Sequence, residues 1–354
     1  MGAVREGLRW RRLVPFHLDW IQVELSAECR GHCPYCPVEV FRESRQGGFM
    51  STETFQALRP AFASADLVFL QGWGEPLQHP RIWEMAREAV ASGARVGFTT
   101  NGVLLNRERR EALLESGVEI VGVTLAGATH ETHDRYRPGS PLEVLDRNVL
   151  GLREERKRAG LSRPALHVAL QLLVGNLGEV EEMVAMASRW GAEQVVVSPL
   201  SLILSPELEE ESLHHRPEAW AEAVAILRRA RESARAAGMT FHVHGITDSL
   251  PQEACRENTL RSCFVSARGE VSPCVMANLG VDPEGGFTHR YRGEDHAVGA
   301  LIFGNVREMP LREIWQSPNA RAFRRAIRER IYRGARGQEG LPAPCRHCYK
   351  LLEA

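Results

Sequence analysis

Short apolar runs alternate with amphipathic segments along the first two thirds of the chain. The runs fall at residues 20–26, 67–72, 95–102, 119–127, 166–174 and 193–200. Their length and their content of valine, leucine, isoleucine and phenylalanine predict six buried β-strands. Between the runs, apolar residues recur three and four positions apart, which is typical of helices that bury one face.

Glycines suited to the left-handed turn at a helix C-terminus follow several of the amphipathic segments. They are Gly93, Gly117, Gly160, Gly191 and Gly238. Strands that return after each helix imply parallel pairing through right-handed crossovers. We therefore predict an α/β fold, a partial (β/α)6 TIM-like barrel, with its functional site in the loops at the carboxyl ends of the strands.

The pattern changes beyond Gly238. The remaining chain is rich in turn residues, holds five of the eight cysteines and contains one clear helical segment near residues 311–331. We predict two domains, a barrel over residues 15–235 and a small cysteine-rich domain over residues 236–354 that is fastened by metal.

Composition narrows the class of protein. The chain has 354 residues, of which 44% are hydrophobic and 25% charged, and its formal net charge is -1. This charge gives no electrostatic reason to expect nucleic acid or an anionic membrane as a partner. We find neither a signal peptide nor a membrane-spanning run, and we expect a cytoplasmic location. Cysteines in a reducing compartment indicate metal or redox sites rather than disulfides.

Three cysteines, Cys29, Cys33 and Cys36, lie within eight residues of one another after the first predicted strand. A structural zinc site has four protein ligands, and His32 is the nearest candidate for a fourth. A cubane iron–sulfur cluster held by the three cysteines would instead keep one iron open to an exogenous ligand. We favour the cluster and keep the closed zinc site as an alternative.

This CxxxCxxC motif after the first strand of a βα-barrel resembles that of the radical S-adenosylmethionine superfamily. The resemblance implies a 4Fe-4S cluster whose open iron is chelated by the amino and carboxylate groups of S-adenosylmethionine. It also implies reductive cleavage of this cofactor to methionine and a 5′-deoxyadenosyl radical, which abstracts hydrogen from a substrate.

The segment GWGEP, from Gly72 to Pro76, resembles the GGEP motif of that superfamily. By resemblance, Gly72, Gly74 and Glu75 receive the ammonium group of the cofactor. Trp73 replaces the usual second glycine of the motif. The alternative is an ordinary loop that ends in a helix-starting proline.

Further candidate cofactor contacts also rest on the resemblance. Tyr35 occupies the aromatic position that flanks the adenine in relatives. In the segment VTLAGATHETHDRYR, Thr124 and Ala126 replace the usual serine and aspartate, whereas Arg137 is retained and would bind the cofactor carboxylate. Asn101, in TTNG, is either a cofactor contact or a turn residue.

The C-terminal cysteines resemble those of SPASM and twitch extensions. Cys255, Gly269 and Cys274 form C-x13-G-x4-C, and Cys345 and Cys348 form a later CxxC. The resemblance implies one auxiliary iron–sulfur cluster, of the 4Fe-4S type, held by these four cysteines. A zinc knuckle made by the same residues is the alternative.

Cys263 is then left over. In the predicted hairpin it lies on a strand face with Val265 and Ala267, where a thiol packs as a small apolar group. It could alternatively replace a CxxC cysteine as a ligand, or donate a hydrogen atom to a substrate radical. His214 and His215 lie in an acidic segment, residues 205–212 and onward, that we expect to be solvated.

The resemblance also bears on function and partners. SPASM and twitch relatives act on peptides, proteins, aminoglycosides and cofactor precursors, and we expect peptide or protein maturation that draws electrons from a donor such as flavodoxin or ferredoxin. About 20 residues precede the first strand, so we expect no fused leader-peptide-binding domain. The alternatives are a small-molecule dehydrogenase or cofactor maturase, including tungsten or molybdenum enzyme maturation, and an iron–sulfur electron carrier or scaffold.

Overall fold

A parallel sheet built in chain order forms the body of the protein. The computed structural model describes residues 16–245, 255–281, 286–334 and 338–352; the predicted domain limits at residues 15 and 354 lie outside these ranges. The parallel strands are β1 (Leu18–Val23), β2 (Ala65–Phe69), β3 (Arg95–Thr100), β4 (Ile120–Leu125), β5 (Ala165–Leu172), β6 (Gln194–Pro199) and β7 (Thr240–Val243). Each pairs with the next, so the six predicted strands are confirmed and a seventh follows them.

Three strands from the C-terminal region extend the same sheet. β8 (Ser262–Val265) pairs in parallel with β1, with Ile21 opposite Cys263. β9 (Glu270–Ser272) pairs antiparallel with β8, and β12 (Gly304–Asn305) pairs antiparallel with β9. The intervening strands β10 (Phe287–Tyr291) and β11 (Glu294–Val298) form a separate hairpin.

Helices connect the strands. They are α1 (Pro37–Val40), α2 (Thr52–Phe62), α3 (Ile82–Ala91), α4 (Arg107–Glu115), α5 (His130–Tyr136), α6 (Leu142–Arg158), α7 (Val180–Arg189), α8 (Pro206–Glu210), α9 (Pro217–Ala236), α10 (Leu311–Gln316), α11 (Pro318–Arg333) and α12 (Tyr349–Leu352). Among the described residues, no helix is both long enough and apolar enough to cross a membrane.

The single helix predicted near residues 311–331 is two helices. α10 ends at Gln316, and Ser317 adopts an extended conformation with ψ of 155°. A residue before proline is driven out of the helical region by the proline ring, which explains the break. Pro318 then begins α11, where its missing N–H costs nothing, and the Ser317 side chain accepts a hydrogen bond from the Ala320 N–H.

The sheet is open rather than a closed barrel, with β7 and β12 at its edges within the described chain. Along β5 and β6, buried residues alternate with half-buried ones. Because successive side chains of a strand point to opposite faces, one face packs in the core and the other faces a less filled interior. Gln171 of β5 and Ser198 of β6 lie on this interior face, opposite each other.

Candidate active site and auxiliary metal centre

The loop after β1 carries the first three cysteines, which lie close enough to interact electrostatically, although no three potential ligands among the described residues come close enough for one ion. The Gly31 N–H lies 3.3 Å from the Cys29 Sγ, and a Cβ placed on Gly31 would lie 4.0 Å from the Cys33 Sγ. Cys36 precedes α1 directly. Burial, together with the neighbouring thiols, raises the pKa of Cys29 and raises the pKa of Cys36 to about 12. Thiols with raised pKa values stay protonated at neutral pH, and a bound metal such as iron would favour their thiolate form.

Arg137, at the end of α5, points at this loop. Its Nη1 donates to the Tyr35 hydroxyl at 2.9 Å, whereas its Nε is buried with no hydrogen-bond partner among the described residues. Burial lowers the pKa of this guanidinium, but Tyr35 and the Cys33 and Cys29 thiols outweigh that effect and raise it. An unused, buried N–H beside the cysteines fits the carboxylate that the resemblance predicts there.

Glu75 is buried and holds the GWGEP loop on β3. Its Oε1 accepts the Leu77 N–H at 3.0 Å and the Thr100 hydroxyl at 2.7 Å, and its Oε2 accepts the Asn101 N–H at 2.8 Å. Burial raises the pKa of this carboxyl, and the three donors oppose that rise. A carboxylate has about four acceptor sites, so the predicted contact with the cofactor ammonium stays possible at Oε2 and stays a prediction.

The two glycines of the motif allow a close approach of backbones. A Cβ on Gly72 would lie 2.3 Å from the Glu24 Cγ, and one on Gly74 would lie 2.2 Å from the Ser26 carbonyl oxygen. Both distances are far below any van der Waals contact, so no other residue fits without moving β1 or the loop that follows it. This packing supplies a structural reason for the glycines, and their contact with a cofactor stays a prediction.

Trp73 connects the motif to the C-terminal region. Its indole Nε1 lies 3.2 Å from the Val275 carbonyl oxygen and 3.1 Å from the Asn278 carbonyl oxygen, just after Cys274. Its backbone N–H donates to Glu24 at 2.9 Å. The residue that departs from the usual motif therefore joins the loop of the predicted cofactor site to the loop of the predicted auxiliary site.

The remaining predicted cofactor contacts lie on the same side of the sheet. The Asn101 Oδ1 accepts the Val103 N–H at 3.0 Å, as in a turn, while its Nδ2 lies 4.0 Å from the Cys29 Sγ. Thr124, at the end of β4, donates to the Thr100 carbonyl at 3.4 Å. Asn101 is thus a turn residue, and its contact with the cofactor stays a prediction.

Three polar residues near this site were not identified from the sequence. Asn176 is fully buried, and its Nδ2 donates to the carbonyls of Ala126 at 2.9 Å and Gln171 at 2.8 Å. The Gln171 Nε2 donates to the Ser198 carbonyl at 3.2 Å. The sequence feature that could have identified these residues is a polar position near the carboxyl end of an otherwise apolar run.

The four C-terminal cysteines lie close enough to interact electrostatically. Cys274 follows β9, Cys345 lies in a 3₁₀ turn, and Cys348 immediately precedes α12. Burial raises the pKa of all four, and their mutual electrostatic interactions raise the pKa of Cys255, Cys274 and Cys345 further. No group of three or more potential ligands within the described ranges comes close enough for one ion. Their assignment as ligands stays a prediction.

Cys263 lies apart from this group, in the hydrophobic core. It is 2% exposed on β8, in the same buried cluster as Val265 and Ala267. Burial raises the pKa of its thiol to about 12, and Arg324 is the charged group that opposes the rise. These surroundings agree with packing as a small apolar residue, the first of the three roles considered.

His214 and His215 are not solvated, contrary to expectation. The His214 ring stacks on Tyr349 with centroids 4.3 Å apart, and His215 hydrogen-bonds to the Tyr349 hydroxyl. The acidic segment begins α8 and is largely exposed, as expected at Glu207 and Glu210, while Glu209 pairs with Arg290 at 3.0 Å. The local sequence could not predict that Tyr349 of α12 packs against these histidines, because Tyr349 lies more than a hundred positions after them in the chain.

Comparison with known families agrees with this geometry. The sequence model described as the radical SAM superfamily matches residues 23–190, and the model described as SPASM, an iron–sulfur cluster-binding domain, matches residues 255–349. The chain belongs to the radical SAM superfamily. It is an enzyme that uses S-adenosylmethionine and a 4Fe-4S cluster, and its SPASM domain binds an auxiliary iron–sulfur cluster. The electron-carrier and zinc-knuckle alternatives are thereby set aside.

Sequence similarity to curated radical SAM relatives extends over most of the chain. The AdoMet-dependent heme synthase of Methanosarcina barkeri is 28% identical over 85% of this chain and 82% of its own length. The tungsten-containing aldehyde ferredoxin oxidoreductase cofactor-modifying protein of Pyrococcus furiosus is 24% identical over 89% and 85%. The PqqA peptide cyclase of Rhizobium meliloti is 25% identical over 92% and 78%.

Solved radical SAM structures share the fold. SuiB of Streptococcus suis bound to S-adenosylmethionine aligns over 99% of this chain and 74% of its own, with a TM-score of 0.65 and 16% identity. SuiB bound to its precursor peptide SuiA gives a TM-score of 0.63, also at 16% identity, over 99% of this chain and 73% of its own. At this level of identity the likeness supports the partial-barrel architecture alone.

Proposed function

We propose that this radical SAM enzyme is a maturase that abstracts hydrogen from a peptide or protein. The observation that carries the radical chemistry is the buried Nε of Arg137 beside the cysteines of the first loop, which has no hydrogen-bond partner among the described residues. Two kinds of relative support the substrate class, the PqqA peptide cyclase and SuiB with its precursor peptide. When bound, the cluster and S-adenosylmethionine supply a one-electron cleavage that produces the hydrogen-abstracting species.

We assign the residues of this chain as follows. Cys29, Cys33 and Cys36 hold the catalytic cluster, and Cys255, Cys274, Cys345 and Cys348 hold the auxiliary one. Arg137 binds the cofactor carboxylate, Glu75 its ammonium, and Tyr35 packs on its adenine. Gly72, Gly74, Asn101 and Thr124 shape the remaining surface of the cofactor site. The boundary near residue 235 between a core and an auxiliary domain completes this assignment.

The proposed reaction also needs an electron source and a compartment. A protein donor such as flavodoxin or ferredoxin would provide one electron for each cleavage. A reducing, cytoplasmic location is supported because none of the eight cysteines, all of which the structure describes, forms a disulfide. Iron–sulfur sites with thiolate ligands depend on such an environment.

A cofactor maturase is the second candidate. It is supported by the heme synthase and the cofactor-modifying protein among the relatives, of which the former is the more similar. In that case the substrate would be a small molecule or a cofactor precursor rather than a polypeptide. The partial barrel and the auxiliary centre are compatible with both.

One experiment separates the two candidates. Extract from cells grown in deuterated medium is divided into a polypeptide pool and a small-molecule pool, and each is added to the anaerobically reconstituted enzyme with S-adenosylmethionine and reductant. Hydrogen abstraction from a substrate transfers deuterium to 5′-deoxyadenosine, which mass spectrometry detects. The peptide maturase is supported if the polypeptide pool transfers deuterium to 5′-deoxyadenosine and if protease treatment of that pool abolishes the transfer.

Transfer from the small-molecule pool alone would reject the peptide maturase and favour the cofactor maturase. The Cys33→Ala variant serves as the control, because it removes one thiolate ligand of the catalytic cluster. Deuterium transfer by that variant would show that the signal does not come from the proposed site.

A further inference from the structure

A cavity of about 700 Å³ opens beside Cys29, among the loops around the first cysteine motif. Its wall includes Cys29 itself together with Glu28, Arg30, Phe49 and Arg109. Most of these residues belong to the segment between β1 and α2, which also carries the cysteines. The cavity therefore gives the outside of the molecule direct access to one ligand of the catalytic cluster.

This cavity differs from the cofactor site. Among the described residues that line it, Tyr35, Glu75 and Arg137 are absent. Those three residues hydrogen-bond among themselves or with β3 and its loop instead. The cavity thus offers an approach to Cys29 that is separate from the residues assigned to S-adenosylmethionine.

Basic groups outnumber acidic ones in the wall. Arg30, Arg42, Arg45 and Arg109 line it, with Glu28 as the one carboxylate among the described lining residues. Arg42 and Arg45 pair with carboxylates outside the wall. Within the described chain, Arg30 and Arg109 form no ion pair. A chain with a net charge of -1 therefore presents a local excess of positive charge next to the cluster loop.

Exposed apolar side chains accompany these charges. Five large hydrophobic residues are exposed in the part of the chain that the structure describes, and two of them, Val40 at 39% and Phe49 at 43%, lie between β1 and α2. Phe49 lines the cavity. An apolar centre surrounded by charged groups is the usual anatomy of a protein interaction surface.

We propose that this surface, formed by Arg30, Phe49, Arg109 and the exposed part of Cys29, is the docking site of an acidic one-electron donor protein. The inference rests on the proposed function, which requires such a donor. A donor surface rich in carboxylates complements Arg30 and Arg109, and complementary charges speed the formation of short-lived complexes. The donor protein loses one electron, which reduces the catalytic cluster, and no other group is transferred.

Two reductants test the proposal in the reconstituted holoenzyme. Reduced flavodoxin requires docking, whereas photoreduced 5-deazariboflavin is small and uncharged and does not. We expect Arg30→Glu to lower the second-order rate of cluster reduction by flavodoxin by about tenfold at low ionic strength. The rate with 5-deazariboflavin should match that of the unaltered enzyme, and added salt should narrow the difference.

The matched control is Arg231→Glu. It makes the same change of charge on an exposed residue of α9, which contacts the edge strand β7, six strands away from β1 in the sheet. Equal slowing by both variants would show that overall charge rather than this surface matters. Slowing of Arg30→Glu with both reductants would show an effect on the cluster itself. Either result would overturn the proposal.

A second variant tests the apolar centre without a change of charge. Phe49→Gln should weaken the binding of oxidised flavodoxin in calorimetry and leave the salt dependence of reduction unaltered. Flavodoxin binding and reduction that are unchanged in both Arg30→Glu and Phe49→Gln would reject this docking site. Production of 5′-deoxyadenosine with 5-deazariboflavin would still test the proposed function separately.

Discussion

At the scale of single residues, the site contains side chains that are available to bind the cofactor and side chains that hold the loops in place. Within the part of the chain that the structure describes, the buried Nε–H of Arg137 has no acceptor, which leaves it available to a ligand carboxylate. Glu75 instead satisfies three donors of its own chain. A substitution of Glu75 would therefore disturb the fold of the loop as well as any contact with the cofactor. Arg137 is the cleaner probe of cofactor binding.

We predict that Arg137→Gln weakens the binding of S-adenosylmethionine by about 2 kcal/mol, or roughly thirtyfold in Kd. The variant loses a charge-assisted hydrogen bond and replaces the guanidinium by a shorter, neutral amide that is still polar. Its iron content should equal that of the unaltered enzyme. Anaerobic calorimetry measures the affinity, and a chemical assay measures the iron.

Arg135→Gln is the matched control for this prediction. Arg135 lies two residues away, its side chain is 66% exposed, and it pairs with Glu211 rather than with the cysteine loop. Affinity that falls equally in both variants, or in neither, would contradict the assignment of Arg137 to the carboxylate.

At the scale of elements, the sequence predicted local structure better than pairing between distant segments. The five glycines predicted to end helices all have positive φ, from 66° at Gly160 to 85° at Gly93. The six predicted strands are present because apolar runs and turn signals are local features. The break at Ser317 was missed although Pro318 signals it, since apolar periodicity continues across the proline.

The parallel pairing of β8 with β1 was not predicted. The cysteine-rich segment resembled an independent hairpin, and nothing near Ser262–Val265 in the sequence identifies β1 as its neighbour. In the structure this pairing continues the core sheet into the C-terminal region. Likewise, the packing of Tyr349 on His214 follows from the return of the chain end to the barrel.

Trp73 shows how two loops depend on one side chain. We predict that Trp73→Phe keeps an aromatic side chain but loses the indole N–H that donates to Val275 and Asn278. The free energy of unfolding should fall by about 1–2 kcal/mol. Amide hydrogen exchange should accelerate in residues 275–278, where the backbone bonds depend on this contact. Mass spectrometry of the exchanged protein measures that change.

Trp83→Phe provides the comparison, because Trp83 in α3 packs against Phe98 with ring centroids 6.1 Å apart, far along the chain from residues 275–278. It should leave exchange in residues 275–278 unaltered. If Trp73→Phe also leaves exchange there unaltered, the indole does not hold the two loops together.

At the scale of the whole molecule, one continuous sheet supports two metal centres. Cys29, Cys33 and Cys36 follow β1, while Cys274 follows β9, and β8 joins these two strands in the sheet. Glu24, at the end of β1, accepts the Trp73 N–H at 2.9 Å and the Ala267 N–H at 3.2 Å. We therefore expect the core sheet to hold the two proposed centres in position relative to each other.

The distribution of iron tests this organisation. We predict about eight irons per chain after anaerobic reconstitution if both clusters are cubanes. The triple substitution of Cys29, Cys33 and Cys36 by alanine should remove about half of them, because only the first centre loses its ligands. Cys255→Ala should remove the auxiliary cluster and keep the first. If the protein binds zinc in place of the iron expected in the auxiliary cluster, the prediction of an auxiliary iron–sulfur cluster is wrong.

Cys263→Ala is the internal control for that experiment, since it also removes one thiol from the C-terminal region. Cys263 is 2% exposed in the core of β8, so alanine should cost about 1 kcal/mol of stability and no iron. Its yield of 5′-deoxyadenosine should also stay that of the unaltered enzyme. Loss of the auxiliary absorption in Cys263→Ala together with its retention in Cys255→Ala would mean that these two cysteines exchange roles.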